Sequence, residues 1–217
     1  MSQTNIVILL CVLVSLFVWG ADAQVVALIA FSTEGFFAGR IWTPATTLLV
    51  HATPLHLLGN MLFLFVFGNT LENAVNGRNL LLVFLAGGVA TSLLSIPFYP
   101  ADTLLVGASG AIFTLAATVM LIRPLKFSWL FLLPVGLVAI LYFLYNILAV
   151  YYGFSGGVAY ISHIIGFLIG LPFGISWSQK WMRNLALTLG LLAIYLIVIA
   201  IAAPAIIDIT KRILPNL

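Results

Sequence analysis

Residues 106–122, Val-Gly-Ala-Ser-Gly-Ala-Ile-Phe-Thr-Leu-Ala-Ala-Thr-Val-Met-Leu-Ile, carry no charge and run directly into Arg123 and Pro124. A stretch of that length is just long enough to cross a bilayer as a helix. In a soluble protein it would instead be a buried core helix, so the surroundings decide. The chain has 217 residues, of which 64% are hydrophobic and 6% charged. That leaves too little polar surface to cover a soluble domain. The fold class is therefore all-α, a polytopic membrane protein.

Working outward from 106–122, apolar runs of spanning length recur at about 4–21, 54–72, 79–98, 127–150, 157–177 and 184–205,. Seven spans are expected. The first two are separated by a long connection, Asp22–Thr53, which contains Phe31, Phe36, Phe37, Ile41 and Trp42. It reads as a loop lying partly in the membrane interface. The run Asn5–Gly20 followed by Ala21-Asp22-Ala23 has the look of a cleavable leader,. No lysine or arginine precedes it, however, and everything downstream is apolar too, so it reads as the first span.

A net charge of +3 is too small for a nucleic-acid footprint,. The single cysteine, Cys11, excludes an internal disulfide and reads as a buried, inert thiol. The basic residues are more useful as markers of topology. With seven spans, Arg78, Arg123, Lys126, Lys180 and Arg183 fall on one side; Arg40, Lys211 and Arg212 fall on the other with Asp22, Glu34, Asp102 and Asp208. The positive-inside rule makes the first side cytoplasmic. The N-terminus is then expected inside and the C-terminus outside.

Polar groups at membrane depth are costly and point to function. Four matter here: His56 and Asn60 in the second span, Ser109 in the fourth and His163 in the sixth. Those three spans run in the same direction. Thr53 caps the second and Pro54 suits its first turn, which places Asn60 about 9 Å in. Ser109 precedes Arg123 by about 21 Å of helix, and His163 precedes Lys180 by about 25 Å. In a core about 30 Å thick, all of these groups fall in one layer near the outer face.

Local sequence sharpens each position. His56 and Asn60, four apart, share a helix face. Gly107 and Gly110 flank Ser109 closely and admit a near approach of backbone,. In the first turn of its helix, Ser109 has unpaired N–H groups beside it, the raw material of an oxyanion hole. His163, Gly166, Gly170 and Gly174 form a stripe suited to close packing against the fourth span near Gly110,. Such packing would bring imidazole and hydroxyl within hydrogen-bond range. Asp22, Glu34, Asp102 and Asp208 lie in outer connections or the tail, and Glu72 at the inner end of its span, so none can complete a triad. The residues permit a Ser–His dyad.

Each feature alone has a plainer reading. A serine in a membrane helix commonly back-bonds to its own turn, and a lone histidine commonly packs or relays protons. His56 with Asn60 could tie helices together, and the glycine stripe packs helices whatever else it does. The coincidence of four groups in one layer on three parallel spans favours chemistry. A transporter would show paired repeats and interrupted helices near the midplane. A zinc site could draw on His51, His56 and His163, but no His-Glu-x-x-His is present and Thr53-Pro54 separates His51 from the helix of His56.

Taken together, these motifs resemble the rhomboid family of intramembrane serine proteases. The matches are His51, His56 and Asn60; Gly107, Ser109 and Gly110; and His163 with Gly166, in order over roughly residues 40–176. The resemblance implies that Ser109 is the nucleophile and His163 the general base. It implies that His56, Asn60 and the Ser109 N–H form the oxyanion hole, with His51, Gly107, Gly110, Phe113, Gly166 and Gly170 in support. Phe113, one turn after the serine, is the aromatic that packs on the imidazole in the family.

Two departures stand out. Trp42 is followed by Thr43 where many members have arginine, the nearest being Arg40, and Gly68, Glu72 and Gly77 are one residue too long for the family's Gly-x-x-x-Glu-x-x-x-Gly. The resemblance further implies one membrane domain over 1–217, with a six-helix core of about 1–177 and an extra seventh helix of about 184–205, in a prokaryotic cell membrane. Transmembrane protein substrates and membrane lipid are the expected partners, nucleic acid is not, and no metal or cofactor is expected. The alternatives are a catalytically silent member that binds clients without cutting them, or a small polytopic transporter.

Overall fold

The computed structural model describes residues 1–154 and 157–213, with side chains as far as Pro204 in the last helix. The side chains of Asp208, Lys211 and Arg212, used above as topology markers, lie outside those described. The chain is an all-α polytopic membrane fold. Four helices are long and apolar enough to cross a bilayer: α5 (Pro54–Val75), α6 (Gly77–Leu94), α9 (Tyr160–Trp177) and α10, apolar over Trp181–Pro204 and helical to Ile213. Three shorter apolar helices, α1 (Gln3–Trp19), α7 (Ser109–Ile122) and α8 (Val135–Tyr151), bring the set to the seven expected.

Most ends fall within a few residues of expectation, and the exceptions have local causes. The fifth span does not begin at 127. Phe127–Ser128 and Leu133–Pro134 pair as a short antiparallel ribbon, and α8 starts only at Val135. Leu132 turns the ribbon with φ at 55°. The third span stops at Leu94, because Pro97 cannot extend it and Ile96–Phe98 tightens into a 3-10 turn,.

The connection 22–53 folds into three short helices, α2 (Ala23–Ile29), α3 (Thr33–Phe37) and α4 (Thr43–Thr46), followed by a 3-10 turn. Each of the first two has a side-chain cap, Asp22 and Ser32. Trp42 braces the loop without a neighbouring arginine by donating its indole N–H to the Leu28 carbonyl at 2.8 Å. The loop is tied to the α6–α7 connection by Leu105 N donating to Phe31 O and Glu34 N to Ala101 O, both at 2.8 Å.

Helix α7 is the centre of the bundle. Every residue from Gly110 to Leu121 is buried, and α5, α6, α8, α9 and α10 all pack on it. At 1.5 Å per residue its 14 residues reach about 21 Å, less than a hydrocarbon core of about 30 Å,. Its first turn lies within the bundle, with Ala108 and Gly110 on either side of Ser109 both buried.

The run Gly68–Glu72–Gly77 finds its purpose in α1. The Glu72 carboxylate accepts from Gln3 N (2.8 Å), Thr4 N (2.9 Å) and Thr4 Oγ1 (2.7 Å), so a negative group caps the positive end of α1,. Gly77 begins α6 rather than ending α5. Asn76 stands between the two helices with φ at 85°, which absorbs the additional residue.

Candidate active site

Helix α9 meets α7 through its glycines. A Cβ at Gly166 would collide with the Gly110 carbonyl, one at Gly170 with the Thr114 carbonyl, and one at Gly174 would lie 2.8 Å from Leu121 Cβ. The backbones are therefore in direct contact, as expected of small residues at a membrane-helix interface. Two hydroxyls bridge the seam, with Thr114 Oγ1 donating to Gly166 O at 3.0 Å and Thr118 Oγ1 to Gly170 O at 3.1 Å.

At the head of this seam, Ser109 Oγ lies 2.8 Å from His163 Nε2. Phe113 stacks on the imidazole with centroids 4.6 Å apart and ring planes 12° from parallel. The stack continues to Tyr142 and then Phe63, at 4.7 and 4.5 Å. Ser109 is the first residue of α7, and its N–H has no partner among the described residues. The free N–H groups and dipole of a helix start favour negative charge there.

A cavity of about 580 Å³ opens over the pair, and its walls include His56, Asn60, Ser109, Phe113, Tyr142 and His163. His56 and Asn60 face it from α5. Asn60 Nδ2 donates one proton to the His56 carbonyl at 3.0 Å, which leaves its second free to point elsewhere,. Gly107 has φ at 116°, and a Cβ there would stand 2.8 Å from His56 Nε2. Both conformation and space thus require glycine beside the cavity.

His51 has a different position. It is fully buried outside the cavity, with Nδ1 3.1 Å from Ser15 Oγ and Nε2 accepting from Ala108 N at 3.4 Å. Burial, and next the charge of nearby His56, hold its pKa down at about 4, so the ring is neutral. Ser15 in turn donates to Leu49 O at 3.2 Å. His51 therefore links α1, the loop and the peptide just before Ser109, and both its nitrogens are already engaged. Among the expected residues, His56, Asn60, Ser109, Phe113 and His163 share one cavity. Gly110, Gly166 and Gly170 lie in the helix seam beneath it.

The sequence reading missed Asn146. This residue of α8 is fully buried, and its Oδ1 lies 2.7 Å from Nδ1 of His163. The available signal was an asparagine within the apolar run 127–150, the same kind of costly polar group that drew attention to Asn60.

The family model named Rhomboid domain matches residues 38–180, which contain His51, His56, Asn60, Ser109, Phe113, Asn146 and His163. The rhomboid protease GlpG of Haemophilus influenzae is 26% identical over 84% of this chain and 94% of its own length. The rhomboid protease GluP of Bacillus subtilis is 30% identical over 70% of this chain and 29% of its own length. The putative rhomboid protease YdcA of the same organism is 37% identical over 37% of this chain and 41% of its own length. The chain thus spans less than half the length of several curated relatives it matches, the two Bacillus proteins among them.

Proposed function

The chain belongs to the rhomboid family, and on that premise we propose that it is a serine endopeptidase cleaving transmembrane proteins near the outer membrane face. The observation that carries the reading is the 2.8 Å contact of Ser109 Oγ with His163 Nε2 at the start of α7, beneath an open cavity. An intramembrane hydroxyl paired with a base, beside unpaired backbone donors, is the apparatus of acyl transfer.

The proposed steps are those of acyl transfer. A substrate segment enters the cavity and presents a carbonyl to Ser109. Its helix must unwind locally first, because a helical peptide bond is shielded by its own hydrogen bonds; substrates with glycine or proline near the outer face are favoured. Ser109 Oγ attacks the carbonyl carbon while its proton passes to His163 Nε2. The oxyanion is met by the Ser109 N–H and by side-chain donors from His56 and Asn60. His163 then gives its proton to the leaving amine. The acyl-enzyme is hydrolysed by water arriving from the outer side, with His163 again the base.

On this reading residues 1–217 form one membrane domain in a prokaryotic cell membrane, with the N-terminus cytoplasmic and the C-terminus outside. The core of about 1–177 carries the chemistry, and α10 is an addition to it. The test is labelling of the purified protein by a fluorophosphonate, with Ser109→Ala as the blank. Labelling of wild type alone, together with cleavage of a transmembrane model substrate, is the expected result. Normal folding without labelling or cleavage would favour a client-binding member without activity.

A further inference from the structure

The geometry points to Asn146 as the positioning residue for His163, making the site a Ser–His–Asn arrangement rather than a dyad; this rests on the serine-protease reading above. The Asn146 amide is fully buried in α8, where a polar group is costly unless both its ends are partnered,. Both ends are. Nδ2 donates to the Tyr142 carbonyl one turn earlier, at 2.7 Å, and Oδ1 sits 2.7 Å from His163 Nδ1.

This pairing fixes the direction of the protons from Asn146 through His163 to Ser109. Reversing the amide would set Oδ1 against the Tyr142 carbonyl, acceptor facing acceptor, so the carbonyl end must face the imidazole. Nδ1 of His163 must then carry the ring proton and donate it to Asn146. Nε2 is left with its lone pair, which accepts the Ser109 hydroxyl at 2.8 Å. That is the tautomer a general base needs. Among the described residues, nothing else in contact with the ring selects it. Phe113 fixes the ring plane by stacking, but a stacked face is indifferent to a half-turn about the Cβ–Cγ bond, which exchanges nitrogens for carbons.

An amide also suits the setting better than a carboxylate. A buried ion in a membrane interior is expensive to desolvate, whereas the Asn146 carbonyl dipole still favours the imidazolium that forms during acyl transfer. Asparagine fills the same place in papain-like cysteine proteases.

The test compares wild type with Asn146→Leu and Asn146→Asp, reading both kinetics and the nitrogen-15 spectrum of His163. With only three histidines in the chain, His51→Gln and His56→Gln suffice to assign its signals. Wild type should show Nδ1 protonated and Nε2 bare. Asn146→Leu should mix the tautomers and lower kcat roughly 10²-fold with KM unchanged. Asn146→Asp, which restores an acceptor, should recover most of that loss. A wild-type spectrum with the proton on Nε2 would overturn the inference even if the leucine variant failed to fold, and so would wild-type kcat in that variant. Labelling of wild type at Ser109 separates the two proposals: with normal labelling, a wrong tautomer removes the role of Asn146 alone, whereas absent labelling removes the protease reading on which it stands.

Discussion

Helices α9 and α10 are neighbours in sequence, both apolar and both long enough to span, yet the protein uses them differently. α10 is the more apolar, and almost none of its membrane window is buried. Ile194, Ile197 and Ile201 are exposed, as suits lipid-facing positions. Its polar attachment lies in its first turns, where Asn184 Nδ2 donates to Leu121 O at 2.7 Å and Thr188 packs against Gly136, while Leu191, Leu192 and Tyr195 rest on the core further along. α9 presents Gly166, Gly170 and Gly174 to the backbone of α7. Hydrophobicity therefore puts a helix in the membrane without fixing its distance from a neighbour. Small residues set that distance, and here they set it where Ser109 and His163 meet.

If function is concentrated at the α7–α9 seam, the largest effects belong to the two residues at its head. Ser109→Ala and His163→Ala should each abolish measurable cleavage of a model transmembrane substrate, a loss on the order of 10⁶ by analogy with soluble serine proteases. Ser109→Ala should fold normally, since it removes one hydrogen bond and little volume; His163→Ala breaks the bonds to both Ser109 and Asn146 and is assayed at equal concentration of folded protein. Cleavage by purified Ser109→Ala at the same bond would move the chemistry elsewhere. EDTA should leave the rate unchanged; inhibition by the chelator would instead revive a metal site.

The next effect tests whether α5 contributes donors or only a wall. Asn60→Ala should lower kcat by roughly 10²–10³ while KM stays near its wild-type value, as loss of an oxyanion donor does. A raised KM with unchanged kcat would assign Asn60 to substrate binding or helix bracing.

How far these features could be read from sequence follows from the physics of each. The spans were legible because a bilayer demands about 20 apolar residues per crossing. The α7–α9 seam was legible because Gly166, Gly170 and Gly174 repeat at one helical face. The ribbon at 127–134 was not, since Phe127, Trp129, Leu130, Phe131 and Leu132 are as apolar as a helix. Only Pro124 and Pro134 at its two ends marked it. The folding of 22–53 was also hidden, because its short helices are held by contacts such as Trp42 with Leu28 rather than by periodicity. Asn146 escaped because a search for a third group considered carboxylates, the costliest choice in an apolar interior.

Gly166→Val attacks the seam itself. Its new Cβ would meet the Gly110 carbonyl, a backbone atom that cannot swing aside. The helices must separate, and a displacement of about 1 Å at a catalytic pair can cost 10²-fold in rate. Activity should fall about 10²-fold, accompanied by a lower Tm, while Phe113 keeps its place on α7. Wild-type activity in this variant would show that the stripe does not set the distance from Ser109 to His163.

Gly190→Val is the matched substitution in α10, and its effect should be the smallest. Among the described residues, no atom outside the helix's own adjoining backbone lies within 4 Å of a Cβ built at Gly190, so the valine side chain would extend into open space beside the helix. Valine is also a few tenths of a kcal/mol better than glycine in a helix interior. Cleavage should stay within about twofold of wild type, and Tm should hold or rise slightly. Both glycine variants should be expressed side by side and assayed at equal concentration of folded protein, so that the ratio of their activities reports geometry. A loss at Gly190 comparable to that at Gly166 would break the contrast between the helices. It would mean that this face of α10 is packed against something in the membrane, and a concentration-dependent loss would identify that something as a second copy of the chain.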